Sequence, residues 1–295
     1  MNDKILIVAN PVAGKGKVKK DVRIIKKNFE DSGYQVITKY TTKNVNAEEI
    51  VKSEIDDKDI VVAVGGDGTL NEVVNGVTKS NKKVRIGFIP LGTTNDFART
   101  LKVPTNKYKL SQNIDKTKNI ECDTGSFNGK CFNYVSAFGV FAQTSCNTDR
   151  KEKNRFGRLA YLRKGTEDFF KINESYHLKI TTDNEVIEDD FEYGSISNSK
   201  YMGGFQLFKE DEVKVNDGKF EVLLIKKTRN KAALLGTYAK LIMQIRDENV
   251  IYLRTSKLNI ETTEKIKWSL DGESETSTGP VEIKNLNKNI SIITM

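Results

Sequence analysis

Three glycine-bearing segments in the first hundred residues carry the residue types that phosphate chemistry needs. The first is GGDGTLNEVVNG (residues 65–76), which leaves an apolar run and opens a helical pattern. Adjacent glycines let a backbone approach a phosphate chain, and a helix amino terminus behind them offers free N–H groups and a positive dipole end. Asp67 lies inside that turn and would repel phosphate unless a Mg2+ ion or a proton stood between them, so the pattern points to metal-assisted phosphoryl chemistry. A tight strand–helix turn capped by Asp67 is the plainer alternative. The second segment, NPVAGKGK (residues 10–17), is neither GxGxxG nor GxxxxGK[ST], which excludes a standard dinucleotide fingerprint and a Walker loop. It still offers an anion-binding turn, with Gly14 and Gly16 freeing the backbone and Lys15 and Lys17 adding charge. The third, PLGTTNDFAR (residues 90–99), supplies hydroxyls and an Asn95-Asp96 pair that can cap a helix or face a cleft.

The elements that must hold these segments alternate in type. Residues 5–9, 34–40, 59–64 and 84–90 read as strands, and 18–31, 47–55 and 70–78 as helices, with Val22, Ile25 and Phe29 at helical spacing. Strand and helix in alternation imply a parallel sheet with right-handed crossovers, whose ligands collect at the carboxyl ends of the strands. After about Glu121 the pattern changes. Strand-like runs follow closely at 122–127, 130–138, 176–182, 191–197, 220–225, 258–261, 265–270 and 290–294, which suggests an antiparallel sandwich or barrel. Helical stretches at 157–172 and 231–243 interrupt it. The expected division is a nucleotide-binding α/β domain over 1–121 and a β-rich domain over 122–295.

Composition narrows the function less than the motifs do. The 295 residues carry a formal charge of +8, which would suit a nucleic acid, an anionic membrane or an anionic substrate equally. Cys122, Cys131 and Cys146 are widely spaced and His177 is the sole histidine, which argues against zinc and fits free thiols in a reducing compartment. No window approaches eighteen consecutive apolar residues, and the first apolar run is too short for a signal peptide. The expectation is a cytoplasmic protein with peripheral contact to the inner face of the membrane. The stretch DRKEKNRFGRLAYLRK (residues 149–164) sets seven basic residues among aromatics and leucines, suited either to an anionic membrane interface or to a core helix with a solvated face.

Taken with SNSKYMGG (197–204), KVNDGKF (214–220) and SLDGE (269–273), these segments resemble the bacterial diacylglycerol kinase and related lipid kinase family, in order along almost the whole chain. The family shares its GGDGT core with sphingosine kinases, NAD kinases and phosphofructokinases. The resemblance implies an α/β Rossmann-like nucleotide domain followed by a mainly antiparallel β-sandwich, with the active site in the inter-domain cleft. It implies ATP contacts at Asn10, Pro11, Val12, Ala13, Gly14, Thr41, Gly65, Gly66, Asp67, Gly68, Thr69, Leu70, Asn71, Glu72, Thr93 and Asp96. Glu273 falls at the family's proton acceptor, with Asp67 the second catalytic residue. Asp217, with the main-chain carbonyls of Lys214 and Lys219, falls at a Mg2+ site. The loop before it, LFKEDEVKVNDG, lacks the prolines and small residues many relatives carry there. The function implied is transfer of the γ-phosphate of ATP to a lipid hydroxyl, diacylglycerol first, giving phosphatidic acid. Its partner is lipid at an anionic membrane surface rather than nucleic acid, with a homodimer left open. A kinase of another acceptor, such as NAD or another lipid alcohol, and a non-catalytic ATP-binding regulator are the alternatives.

Overall fold

The computed structural model describes residues 3–14, 17–139 and 175–295, which form two compact units. The first unit takes the chain through Cys122 and again over Lys288–Met295; the second is Asp123–Asn287.

In the first unit β1 (Lys4–Ala9), β2 (Gln35–Tyr40), β3 (Ile60–Gly65) and β4 (Arg85–Pro90) pair in parallel, in the order β2-β1-β3-β4. The connections are α1 (Val18–Asp31), α2 (Ala47–Glu54) and α3 (Asp67–Ser80). β3 is buried along its whole length and β1 past its first residue, as central strands of a parallel sheet must be. α1 buries Val18, Val22, Ile25 and Phe29 beside Ile5, Ile7, Ile60 and Val62, the face its sequence spacing predicts. The strand order reverses between β1 and β3, so the loops leaving them diverge and frame a crevice at their carboxyl ends. Two short helices, α4 (Asp96–Thr100) and α5 (Lys109–Gln112), add to the expected elements.

β5 (Lys118–Phe127) carries the chain into the second unit, followed by β6 (Lys130–Phe132), β7 (Val135–Gly139), β8 (Tyr176–Thr181), β9 (Val186–Ser197), β10 (Tyr201–Met202) and β11 (Phe205–Gln206). Next come β12 (Phe220–Lys226), α6 (Lys231–Ile242), β13 (Val250–Thr255), β14 (Lys257–Glu261), β15 (Ile266–Leu270), β16 (Glu273–Ser277) and β17 (Val281–Thr294). The path β16-β15-β7-β9-β8-β14-β17 is antiparallel throughout, and β12 joins β9 to β13 in the same sense. One core gathers Phe127, Phe138 and Trp268, whose rings meet edge to face at 4.9 and 5.0 Å, and Trp268 Nε1 donates to Ser277 Oγ at 2.9 Å. A second core, with Tyr193, Leu223 and Ile225, is covered by Leu234 and Leu241 of α6.

The end of the chain departs from the expected division. The sequence assigns all of 122–295 to the β-rich domain, yet Lys288–Met295 belongs to the first unit. Ser291 and Ile292 pair in parallel with Arg85 and Ile86, and Ile290, Ile292 and Ile293 are buried. A partner two hundred residues earlier leaves no local signal. β13 and β16 are likewise strands that apolar alternation did not reveal. Cys122 and Cys131 are buried outside any disulfide, with thiols 3.8 and 3.9 Å from the Ile120 and Phe132 carbonyls. The expected helix over 157–172, the basic stretch 149–164, Cys146 and Lys15 lie outside the described residues.

Candidate active site

β1, β3 and β4 each end in one of the three glycine-bearing turns, and main-chain bonds tie the turns together. Asn10 N–H donates to the Val64 carbonyl at 3.0 Å and Leu91 N–H to the Gly65 carbonyl at 2.6 Å. Asn10 Oδ1 accepts the Val12 N–H at 3.1 Å, a local turn that leads into Gly14 at φ 59°. The closest approach is between Gly66 and Gly92: a Cβ on Gly92 would lie 2.6 Å from the Cα of Gly66. Asn95, at φ 48°, holds that geometry by accepting the Gly92 N–H at 3.1 Å and donating to the Gly92 carbonyl at 2.9 Å. Only glycine permits it. Gly92→Ala is expected to cost about 1–3 kcal/mol through overpacking. Thermal melts check this; an unchanged midpoint would mean that the two turns can move apart.

α3 begins at Asp67 behind Gly66, whose missing side chain leaves no cap. The N–H groups of Asp67 and Gly68 therefore point from an uncapped helix end, where an anion is stabilised. The Asp67 carboxylate turns the other way, toward the start of α4. It accepts the Thr94 hydroxyl at 3.2 Å, the Phe97 N–H at 3.4 Å, and the amides of Asn95 and Asp96. Burial pushes its pKa above the usual carboxylate range although these donors pull it down. Asp67 thus joins the second turn to the third.

The remaining positions divide. Pro11, Val12 and Ala13 stand in the first turn, with Val12 64% exposed. Thr41 follows β2 and donates its N–H to the Ala9 carbonyl at 3.0 Å. Thr69 is buried against Gly65, where a Cβ would meet its Oγ1 at 2.4 Å. Thr93 is exposed and Asp96 is buried at the start of α4. Leu70 is wholly buried, Asn71 Oδ1 accepts from Asn75 Nδ2 at 3.1 Å, and Glu72 Oε2 accepts the Ala47 N–H at 2.8 Å. Leu70 thus packs, Asn71 bonds within α3, and one Glu72 oxygen holds the start of α2.

In the second unit, SLDGE closes the β15–β16 hairpin. Leu270 pairs with Glu273, and Asp271 and Gly272 both take positive φ, 50° and 91°, as a two-residue hairpin turn requires. The Asp271 carboxylate accepts the N–H groups of Asn133, Tyr134 (3.0 Å) and Val135 (2.9 Å), which fixes the turn to the β6–β7 connection. Glu273 is exposed at the turn's end. In KVNDGKF, Asp217 Oδ1 accepts the Lys219 N–H at 3.1 Å and its other oxygen pairs with the Arg254 guanidinium. Arg254 Nε also reaches Glu221 Oε1 at 3.2 Å, while Glu221 Oε2 is buried with no hydrogen-bond partner. Gly218 donates its N–H to the buried Asp123 carboxylate at 2.7 Å.

Residues 4–127 match the model of the diacylglycerol kinase catalytic domain. The diacylglycerol kinase of Bacillus subtilis (strain 168) is 30% identical over 97% of this chain and 95% of its own length. That of Staphylococcus carnosus (strain TM300) is 30% identical over 100% of this chain and 96% of its own. This chain belongs to the diacylglycerol kinase family. Two solved structures from Bacillus anthracis str. Sterne each cover 99% of it. One has a TM-score of 0.83 at 27% identity over 95% of that chain; the other, a diacylglycerol kinase, has 0.77 at 23% identity over 97% and attests the fold.

Family membership turns attention to the donors around Asp217. Among the described residues no three His, Cys, Asp or Glu side chains gather as a metal site, so a cation there would draw on main-chain carbonyls such as those of Lys214 and Lys219. Asp217 Oδ1 and those carbonyls are hard oxygens of the kind Mg2+ takes. The other Asp217 oxygen is held by the Arg254 guanidinium, and Glu221, its pKa raised to about 8 by burial, adds no negative charge there near neutral pH. Asp123, Glu221 and Arg254 were missed by sequence reasoning. Glu221 and Arg254 meet through the register of β12 and β13, and Asp123 joins through the Gly218 amide, contacts that no local pattern encodes.

Burial raises the Glu221 pKa from 4.5 to about 8, against the Arg254 charge that lowers it. The folded chain then holds a proton that the unfolded chain has released between those values, so this residue's contribution to stability falls as pH rises from about 4.5 to about 8. Glu221→Gln is expected to flatten that decline, read as thermal midpoints between pH 5 and pH 9. An unchanged slope would mean that Glu221 is ionised in the folded protein.

Proposed function

We propose that this chain is an ATP-dependent, Mg2+-requiring lipid kinase that transfers the γ-phosphate to the hydroxyl of diacylglycerol, giving phosphatidic acid. The observation that carries the reading is the convergence of three glycine turns beside the uncapped end of α3. It gains weight from relatives of matching length that bear the name diacylglycerol kinase. Phosphoryl transfer asks little covalent chemistry of a protein: phosphates must be cradled, their charge offset and the acceptor proton removed. The turns at Asn10–Gly14 and Gly65–Thr69, with Thr93, supply amides and hydroxyls for the phosphates. Mg2+, when bound, offsets phosphate charge; Asp217 and the carbonyls of Lys214 and Lys219 would hold one ion. Asp67, its carboxylate already accepting the α4 amides, would act with Asp96 on another through water. Glu273 accepts the proton of the attacking hydroxyl. The acceptor is a bilayer lipid and no helix among the described residues is long and apolar enough to cross a membrane, so the encounter takes place at the anionic bilayer surface.

Labelled ATP incubated with the protein and a panel of lipids in mixed micelles, and in a parallel reaction with NAD, tests this directly. Labelled phosphatidic acid is the expected product, lost on chelation of Mg2+. A labelled lipid other than phosphatidic acid would reassign the acceptor. Label on NAD, or ATP binding with no transfer to any lipid, would overturn the reading.

A further inference from the structure

Large apolar side chains that stand in water are scattered over most of this chain, but four of them crowd into eleven residues. Leu235, Ile242, Met243 and Ile245 are 41, 45, 68 and 46% exposed. Three lie on α6 or at its C-cap, and with the exposed Ala232, Gly236 and Ala239 they follow the i, i+3, i+4, i+7 spacing of one helix face. The opposite face already has its partner, since Leu234 and Leu241 pack into the second core of the sheet. α6 is therefore apolar on two sides, which a helix at a water-covered surface has no reason to be. Its only charged residues are Lys231 and Lys240.

Basic residues border the stripe. Residues 226–248 contain six Lys or Arg, at Lys226, Lys227, Arg229, Lys231, Lys240 and Arg246, against Asp247 and Glu248. Lys226, Lys227, Lys240 and Arg246 are paired with Asp189, Asp190, Asp247 and Glu212, while Arg229 is exposed just before α6. Ion pairs with exposed partners are weak, so these bases can turn to other anions. An apolar strip bordered by them complements the interface of an anionic bilayer, where acyl chains meet negative headgroups. Twelve helical residues span about 18 Å, too short for a hydrocarbon core of about 30 Å, so such a helix lies in the interface plane.

We infer that the outer face of α6, with Leu235, Ile242, Met243 and Ile245, inserts into the surface of anionic membranes and seats the protein there. The inference rests on the lipid-kinase reading and assigns the surface through which that enzyme meets its substrate. The apolar residues anchor, while Arg229, Lys231 and the neighbouring lysines select negative lipid.

The test separates the surface from the chemistry. Binding is measured by flotation on phosphatidylglycerol-containing vesicles that hold no diacylglycerol, without ATP, so turnover does not enter. The triple variant Leu235→Gln, Ile242→Gln, Met243→Gln changes only exposed positions and should keep the parent's thermal midpoint and its rate on a short-chain, water-soluble diacylglycerol. Its vesicle partition coefficient should fall by at least roughly 100-fold. In a second variant, Leu235→Trp, the new indole should be quenched by brominated acyl chains, against a background from Trp268 alone, which is buried and is the chain's one tryptophan. Equal partitioning of the triple variant and the parent, or no quenching at position 235, would overturn the inference. So would a parent that sediments as a dimer and a triple variant that sediments as a monomer, since the stripe would then face a second copy. Vesicle binding that depends on the stripe, in a protein that phosphorylates no lipid, would uphold the surface and remove the kinase reading alone.

Discussion

Replacing Glu273 with glutamine is expected to lower lipid phosphorylation by about 10²–10⁴-fold, the usual cost of losing a general base, while ATP affinity and the thermal midpoint stay where they are. The separation follows from how the SLDGE turn is built. Its backbone is set by Asp271 and Gly272 in the left-handed region, and it is fastened by the Asp271 carboxylate to three amides of the β6–β7 connection. Glu273 contributes only main chain to the hairpin, by pairing with Leu270, and its side chain is exposed. Glutamine keeps the volume and the strand pairing, but an amide oxygen does not take up a proton at neutral pH. Single-turnover transfer from labelled ATP, beside calorimetric titration of ATP, measures both halves. Near-normal transfer would leave Glu273 a strand residue and move the search for the base to Asp67.

The contrast between Asp271 and Glu273 also marks what the sequence makes legible. The first unit is read well because its signals are local. β1 and β3 are continuous apolar runs, α1 repeats Val18, Val22, Ile25 and Phe29, and each glycine turn sits at the end of a strand. Local signals do not say which charged side chains meet. Asp67 binds the amides of a helix thirty residues on, which depends on Asn95 in a left-handed conformation and on two glycines in near contact. Glu72 looks like a phosphate-turn residue in the string GGDGTLNE, yet one of its oxygens is spent on the first amide of α2. Arg254 reaches Glu221 and Asp217 because β12 and β13 pair Glu221 with Arg254, a register that neither strand alone encodes. The return of Lys288–Met295 to the first sheet is the same lesson at larger scale, since a parallel strand needs a partner that only the folded chain supplies.

Asp67→Ala is expected to abolish transfer, by about 10³-fold or more, and to lower stability as well. Two separate losses meet at this carboxylate. It is the acceptor for the Thr94 hydroxyl and for the first amides of α4, so an alanine leaves those donors unpaired at the base of the third turn. Each buried donor so orphaned costs about 1–3 kcal/mol. The second loss is electrostatic. Burial raises the pKa of Asp67, so its charge is costly in the folded chain. As with any acid raised in the folded state, its share of stability is fullest at acid pH and falls as pH rises through the shifted value. A cation bound near the phosphates favours the ionised carboxylate and offsets part of that cost. Adding Mg·ATP should therefore raise the parent's thermal midpoint clearly and that of Asp67→Ala much less, even at nucleotide concentrations that saturate both. Asp67→Asn divides the two effects, since its amide oxygen still accepts from some of the α4 donors while its charge is gone. It should melt closer to the parent than the alanine variant does, yet transfer phosphate no faster. If both variants transfer at the parent's rate and gain as much from Mg·ATP, Asp67 is a joint between two turns and nothing more.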